Sequence, residues 1–236
     1  MLPPNLSIPD FDEWGFRAFT TSRAAGSYGT QSEEPAADVF GRWNRLVEAA
    51  AALGIDQFAS GSQVHGADLA THRPGWRGWL RTPSVDGHLW AAPGVGAAVT
   101  VADCVPVFLA HPSGAGALLH SGWRGTVAGI TERAISELVA RGFGAGSLRM
   151  HLGPSICGAC YEVSPDVHLA ITGSSVKTPT PVDLRAEIAR RARALGLRAI
   201  ATSEWCTRCS NDQLYSHRAG DAGRQIGVLL SPDRRK

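Results

Sequence analysis

Three apolar runs crowd the middle of the chain: Ala97 to Val101, VPVFLA at 105 to 110 and GALLH at 116 to 120. The last two flank Pro112-Ser113-Gly114, residues that suit the turn of a hairpin. The longest mostly apolar stretch, Gly94 to Ala110, is interrupted by Asp103 and Pro106 and falls short of the ~20 residues of a membrane span. The middle of the protein is therefore expected to be a sheet.

Around it, GFRAFT at 15 to 20 reads as a strand, and the Gly/Ser/Thr-rich stretch Thr21 to Ser32 as a loop. Val39, Trp43, Leu46, Val47, Ala50 and Leu53 recur at spacings of three and four, which predicts an amphipathic helix over 37–53 closed by Gly54. Strands are expected at Gln57 to Val64, Asp86 to Trp90, Leu148 to Leu152, Arg198 to Thr202 and Gln225 to Leu230. Helices are expected from about Thr126 to Arg141 and from Val182 to Leu195. The stretch Thr172 to Pro181 is too short to mark a boundary, so residues 1–236 are expected to form a single α/β domain. Strands come in clusters rather than alternating strictly with helices, which favours sheet-on-sheet packing with outer helices over a doubly wound sheet.

A chain of 236 residues buries a core without a disulfide scaffold. Its 23 Lys+Arg against 21 Asp+Glu leave a net charge of +2, which supplies no general attraction for nucleic acid or an anionic membrane. Function is then sought in a local site. The only lysines are Lys177 and Lys236, which argues against Schiff-base chemistry, and no G-x-x-x-x-G-K-[ST] phosphate loop is present. Five cysteines leave one thiol unpaired in any monomer. The start, LPPNLSIPDFDEWGF after Met1, lacks the basic and apolar parts of a secretory signal, so a cytoplasmic protein with reduced thiols is expected. There, cysteine points to metal binding or catalysis.

Three segments hold soft or borderline ligands: SQVHGADL with His65, VTVADCVPVF with Cys104 and ALLHSGWRGT with His120. Cys104 and His120 fall at adjacent ends of the proposed hairpin, on one rim. Joined by His65 they would make a Cys/His/His set for zinc or copper with a position open to water or substrate. The alternative is a small buried thiol and two turn histidines. Beside His120, Gly122, Arg124 and Gly125 enter a helix, an arrangement that suits a phosphate or carboxylate, or else a tight strand-to-helix turn with Trp123 packed beneath it.

Together QVHGADL, DGHLW, TVADCVPVFLAHP, LLHSGWRGT, HLGPSICGACYEV and YSHRAGDAGRQ resemble the laccase-domain family, also called multicopper polyphenol oxidase or bacterial purine nucleoside phosphorylase proteins. The resemblance runs from about Phe16 to Leu230. It implies a four-layer α/β/β/α sandwich similar to that of certain cysteine hydrolases, and a site at His65, Cys104 and His120 that holds zinc. It also implies phosphorolysis of purine nucleosides, including methylthioadenosine, deamination of adenosine, and a monomer or homodimer. Arg23, near the family's Thr-Thr-Arg element but displaced by an extra serine, and Arg218 in SHRAGD are candidate contacts to phosphate or substrate. Two other activities fit the residues: a copper-dependent polyphenol oxidase, and a hydrolase editing cell-wall precursors with Cys104 as nucleophile, His120 as base and Asp103 or another carboxylate as orienter.

Cys157-Gly158-Ala159-Cys160 and Cys206-Thr207-Arg208-Cys209 form a separate pair of C-x-x-C turns. A cysteine near position 160 and the Cys-Thr at 206 are familiar in the family, whereas Cys157 and Cys209 look like additions. Four thiolates meeting on a structural zinc would explain both together; free thiols or disulfides are the alternatives.

Overall fold

The protein is seen here as a computed structural model that describes residues 1–30 and 34–233. Its first half runs β1 (Asn5–Ile8), β2 (Arg17–Thr21), α1 (Ala36–Ala52), β3 (Gln57–Ser62), β4 (Leu69–His72), β5 (Gly78–Pro83), β6 (Gly87–Trp90), β7 (Val95–Val101), β8 (Val105–Ala110) and β9 (Gly116–Ser121). The second half runs α2 (Trp123–Val127), α3 (Ile130–Ala140), β10 (Arg149–Leu152), β11 (Glu162–Val163), α4 (Pro165–Thr172), β12 (Thr180–Pro181), α5 (Leu184–Ala194), β13 (Ala199–Thr202) and β14 (Gln225–Leu230). Two mixed six-stranded sheets result, in the orders β1-β2-β14-β7-β3-β5 and β13-β10-β8-β9-β6-β4.

Apolar side chains divide into the three contacts that four layers need. Val39, Trp43, Leu46 and Ala50 of α1 pack on Phe19, Phe58 and Val228 of the first sheet. The sheets meet where small Ala59 and Ala97 face bulky Trp90, Phe108 and Leu118. Leu109, Leu119 and Met150 on the far face of the second sheet lie under Ile135 and Leu138 of α3 and Ile188 of α5. The architecture is the α/β/β/α sandwich the motifs imply. It also explains the unbroken apolar run VPVFLA: Val105, Val107 and Leu109 point to the helices, Phe108 and Ala110 to the other sheet.

The expected hairpin is present, β8 and β9 pairing antiparallel from Val105↔Ser121 to Ala110↔Gly116. The helix expected over 126–141 starts earlier and is broken. Gly129, at φ 77°, takes the left-handed conformation that separates α2 from α3. The stretch 172–181 contains β12, which pairs with β11. The loop expected at Thr21 to Ser32 includes a 3-10 turn at Arg23–Ala25; its Gln31 and Ser32 lie outside the described residues, as does Lys236. No helix among the described residues is long and apolar enough to cross a membrane.

Candidate functional site

Three connections carry the chain from the first sheet to the second: β3 to β4 holds His65, β5 to β6 holds Asp86, and β7 to β8 holds Cys104. His120, on β9, lies opposite Pro106, two residues beyond Cys104. The nitrogen and sulfur ligand atoms of the three lie within 4.8 Å of one another. The rings of His65 and His120 stand edge to face, centroids 4.8 Å apart. Gly122 gives them room, since a Cβ there would come within 2.8 Å of Cys104 Sγ and 3.4 Å of His65 Cδ2.

Two non-glycine residues hold left-handed backbone here, His65 at φ 59° and Asp103 at φ 80°, a conformation that costs on the order of 1–3 kcal/mol and persists only where the surroundings impose it. For His65 the constraint comes from Asp86. Its buried carboxylate accepts the backbone N–H groups of Val64 (3.1 Å), His65 (2.9 Å) and Gly66 (2.7 Å), and lies 2.8 Å from His120 Nδ1. With Nδ1 so occupied, His120 turns Nε2 to Cys104. Asp103 is held by its own bonds: Thr207 Oγ1 donates to Oδ1 at 2.6 Å, Arg218 N to Oδ2 at 2.7 Å, and Ile156 N to the carbonyl at 3.1 Å. Of the alternatives for the orienter, Asp103 or another carboxylate, the one that reaches His120 is thus another, Asp86.

Electrostatics follow this chain of contacts. Burial opposes ionisation of Cys104, but the neighbouring His120 and hydrogen bonds from both histidines outweigh it and bring the thiol down to about 6. Burial likewise opposes charge on His120, yet Cys104 and Asp86 raise it to about 9. Asp86 stays below the ordinary carboxylate range despite its desolvation, because His120 and the backbone donors favour the anion.

The group opens into a cavity of about 680 Å³ that also takes in Gly122, Arg124 and Arg218. Arg124 lies over the Trp123 ring at 4.4 Å and Arg218 over the Tyr161 ring at 5.3 Å, so the same wall offers cations and aromatic faces. Arg81, His217 and Arg224 line it as well, which the sequence reading did not anticipate, although Arg224 stands in the quoted run YSHRAGDAGRQ. Gly125 is not among the lining residues. A Cβ there would meet Gly66 O at 2.9 Å, so its place is to let α2 approach the His65 loop. Arg23 is also not among them; it pairs with Asp221 at 2.7 Å, donates to Leu214 O at 3.1 Å and covers the Tyr215 ring at 4.4 Å.

The Cys/His/His set suits a borderline metal such as zinc or copper: three convergent donors, one histidine fixed by a carboxylate, and a cavity on the open side. Cys157, Cys160, Cys206 and Cys209 form a second group, their sulfurs also within 4.8 Å of one another.

Residues 21–231 match the family described as multi-copper polyphenol oxidoreductase laccase. The Streptomyces griseus protein named purine nucleoside phosphorylase ORF3 is 32% identical over 228 residues, covering 92% of this chain and 91% of its own. A protein of an unknown prokaryotic organism named adenosine deaminase RL5 is 32% identical over 148 residues, 57% of this chain and 56% of its own. In fold, the crystal structure of YfiH from Bacillus licheniformis superposes with a TM-score of 0.84 at 21% identity, over 97% of this chain and 96% of that one.

Proposed function

Because the chain belongs to the multi-copper polyphenol oxidoreductase laccase family, we propose that it is a zinc-dependent purine nucleoside phosphorylase that also accepts methylthioadenosine and deaminates adenosine. The observation that carries this reading is the meeting of His65, Cys104 and His120 in a cavity whose wall presents Arg124 and Arg218 on aromatic rings. The names of the Streptomyces griseus relative and of RL5 support the two reactions.

His65, Cys104 and His120 would hold the zinc ion, which when bound supplies Lewis acidity toward a polar atom of the substrate. Asp86 fixes the tautomer and orientation of His120 and holds the His65 loop. Arg124 and Arg218 offer charge to inorganic phosphate, and the faces of Trp123 and Tyr161 match the flat, apolar purine. With phosphate, the anion displaces adenine from the anomeric carbon of adenosine and leaves ribose 1-phosphate; with water alone, attack at purine C6 gives inosine and ammonia. The substrates are small and soluble, in keeping with a cytoplasmic enzyme.

The test is chromatography of adenosine incubated with and without phosphate, with the Cys104→Ala protein alongside. Adenine with ribose 1-phosphate in one case and inosine in the other are expected, both lost in the variant. Absence of both products, or equal activity of Cys104→Ala, rules the reading out.

A second reading rests on one observation, the succession Asp86, His120, Cys104. It matches orienter, base and nucleophile of a cysteine hydrolase, for which an editing step on cell-wall precursors is a suitable task. Alkylation separates the two: a ligand thiolate is shielded from iodoacetamide by added zinc, and a nucleophile is not. The copper oxidase reading is weaker, because reduction of O₂ by four electrons ordinarily uses several coppers, and the described residues offer one Cys/His/His group and one all-cysteine group.

A further inference from the structure

We propose that Cys157, Cys160, Cys206 and Cys209 bind one zinc ion as a closed tetrathiolate, and that this centre secures the Asp103 turn that presents Cys104 to the cavity. The two C-x-x-C turns are distant in sequence, yet their four sulfurs lie within 4.8 Å of one another, and Cys160 and Cys209 are 3.5 Å apart. Zn–S bonds of about 2.3 Å in tetrahedral array place sulfurs about 3.8 Å apart, so the group needs little adjustment to close on the ion. All four are free thiols. The N–H groups of Cys157 and Cys209 point at Cys206 Sγ, at 3.3 and 3.5 Å, donors that stabilise sulfur as thiolate. Four protein ligands leave no position for substrate, which distinguishes this centre from the open group at Cys104.

The link to the cavity runs through the chain neighbours of two ligands, each hydrogen-bonded to Asp103. Ile156 immediately precedes Cys157 and donates its N–H to the Asp103 carbonyl at 3.1 Å. Thr207 immediately follows Cys206 and donates its hydroxyl to Asp103 Oδ1 at 2.6 Å. Between them Ser155 and Cys206 form a parallel bridge, and Thr207 N bonds to Ser155 O at 3.1 Å. Tying the two turns with a metal therefore fixes two of the three donors that hold Asp103 in its left-handed conformation, one residue before Cys104. Zinc binding here also accounts for cysteine at all four positions, where bridging and packing alone would require none.

Zinc content measured by mass spectrometry on the full chain tests the centre independently of any nucleoside reaction. The Cys104→Ala/His120→Ala protein is expected to retain one zinc per chain, and Cys157→Ser/Cys209→Ser to hold one fewer than wild type. Cobalt(II) loaded into Cys104→Ala/His120→Ala is expected to give the intense visible and near-ultraviolet bands of a tetrathiolate; this arm does not depend on the serine variant folding. Removal of that zinc is expected to speed hydrogen exchange at the Ile156 and Arg218 amides, both bonded to Asp103, by about tenfold or more. A zinc-free Cys104→Ala/His120→Ala protein overturns the centre, whether denatured thiol titration finds its four remaining cysteines free or none free because of two disulfides. Zinc present with unchanged exchange overturns the link to Asp103. Failure of the nucleoside assays with this zinc retained would count against the proposed activity alone.

Discussion

Asp86 Oδ1 lies 2.8 Å from His120 Nδ1 and 2.9 Å from the backbone nitrogen of His65, so one buried carboxylate sets the position of both histidines in the cavity. Asp86→Asn keeps the shape and removes the charge, and one face of the amide is a donor where N–H groups already converge. The variant is expected to bind zinc at His65, Cys104 and His120 about 10- to 100-fold more weakly, the usual effect of losing such an outer partner. It should also lose about 1–3 kcal/mol of stability through imperfectly satisfied buried donors. Chelator competition and urea unfolding measure the two; unchanged zinc affinity would remove Asp86 from the site.

Gly122 tests the same cavity from the opposite side. Its φ of −79° is open to any residue, so Gly122→Ala imposes no backbone strain, but the new methyl would stand 2.8 Å from Cys104 Sγ. The sulfur must move, while the sheets beneath it need not. We expect kcat/KM on adenosine to fall by about tenfold or more, as misplacement near reacting groups commonly does, with the circular dichroism spectrum retained. Wild-type kinetics in this variant would mean that Cys104 tolerates displacement and has no fixed task.

The ionic state of Cys104 is open to direct measurement in metal-free protein. Its thiol is lowered to about 6 because His120 and His65 outweigh the effect of burial. Alkylation by iodoacetamide should therefore rise with pH through a midpoint near 6, the thiolate being the reactive form. In His120→Ala the neighbouring cation is gone and burial acts with less opposition, so the midpoint moves up toward the ordinary thiol range. Mass spectrometry of the peptide containing Cys104 separates it from the other thiols. A wild-type midpoint in the ordinary range would show that His120 does not act on it.

Much of this arrangement was legible before any coordinates. Strands β7, β8 and β9 stood out because burial on both faces selects continuous apolar runs, and hairpin pairing then put Cys104 and His120 on one rim. The paired C-x-x-C turns were readable because the ligand spacing is local. Edge strands β1 and β5 were missed because β1 is only four residues long and β5 is largely exposed, with little periodic signal in either. Helix α4 was hidden behind its leading Pro165, which suits a first helical turn as well as a loop. Asp86 stands in the sequence only as the start of a strand and of the motif DGHLW, without a role, since its importance lies in contacts to residues 20 or more positions away, which no local pattern encodes.

The second sheet carries another titratable pair whose effect should appear as acid sensitivity. His72 Nε2 and His88 Nδ1 are hydrogen-bonded at 3.0 Å, His88 is fully buried, and its Nε2 has no hydrogen-bond partner among the described residues. Burial lowers His72 to about 4, and burial together with His72 lowers His88 to about 3. Both are thus neutral in the fold at a pH where an unfolded histidine, near 6.5, takes up a proton. Because the unfolded chain binds more protons, stability is fully present above about 6.5 and declines as pH falls from there toward about 4. At pH 5 the loss is on the order of 2 kcal/mol for each histidine. In His72→Leu/His88→Leu both partners of the hydrogen bond become apolar, so no donor is stranded, and this share of the acid dependence should vanish. Urea unfolding at pH 7 and pH 5 compares the two proteins; equal acid losses would mean that the pair is protonated in the folded state as readily as in the unfolded one.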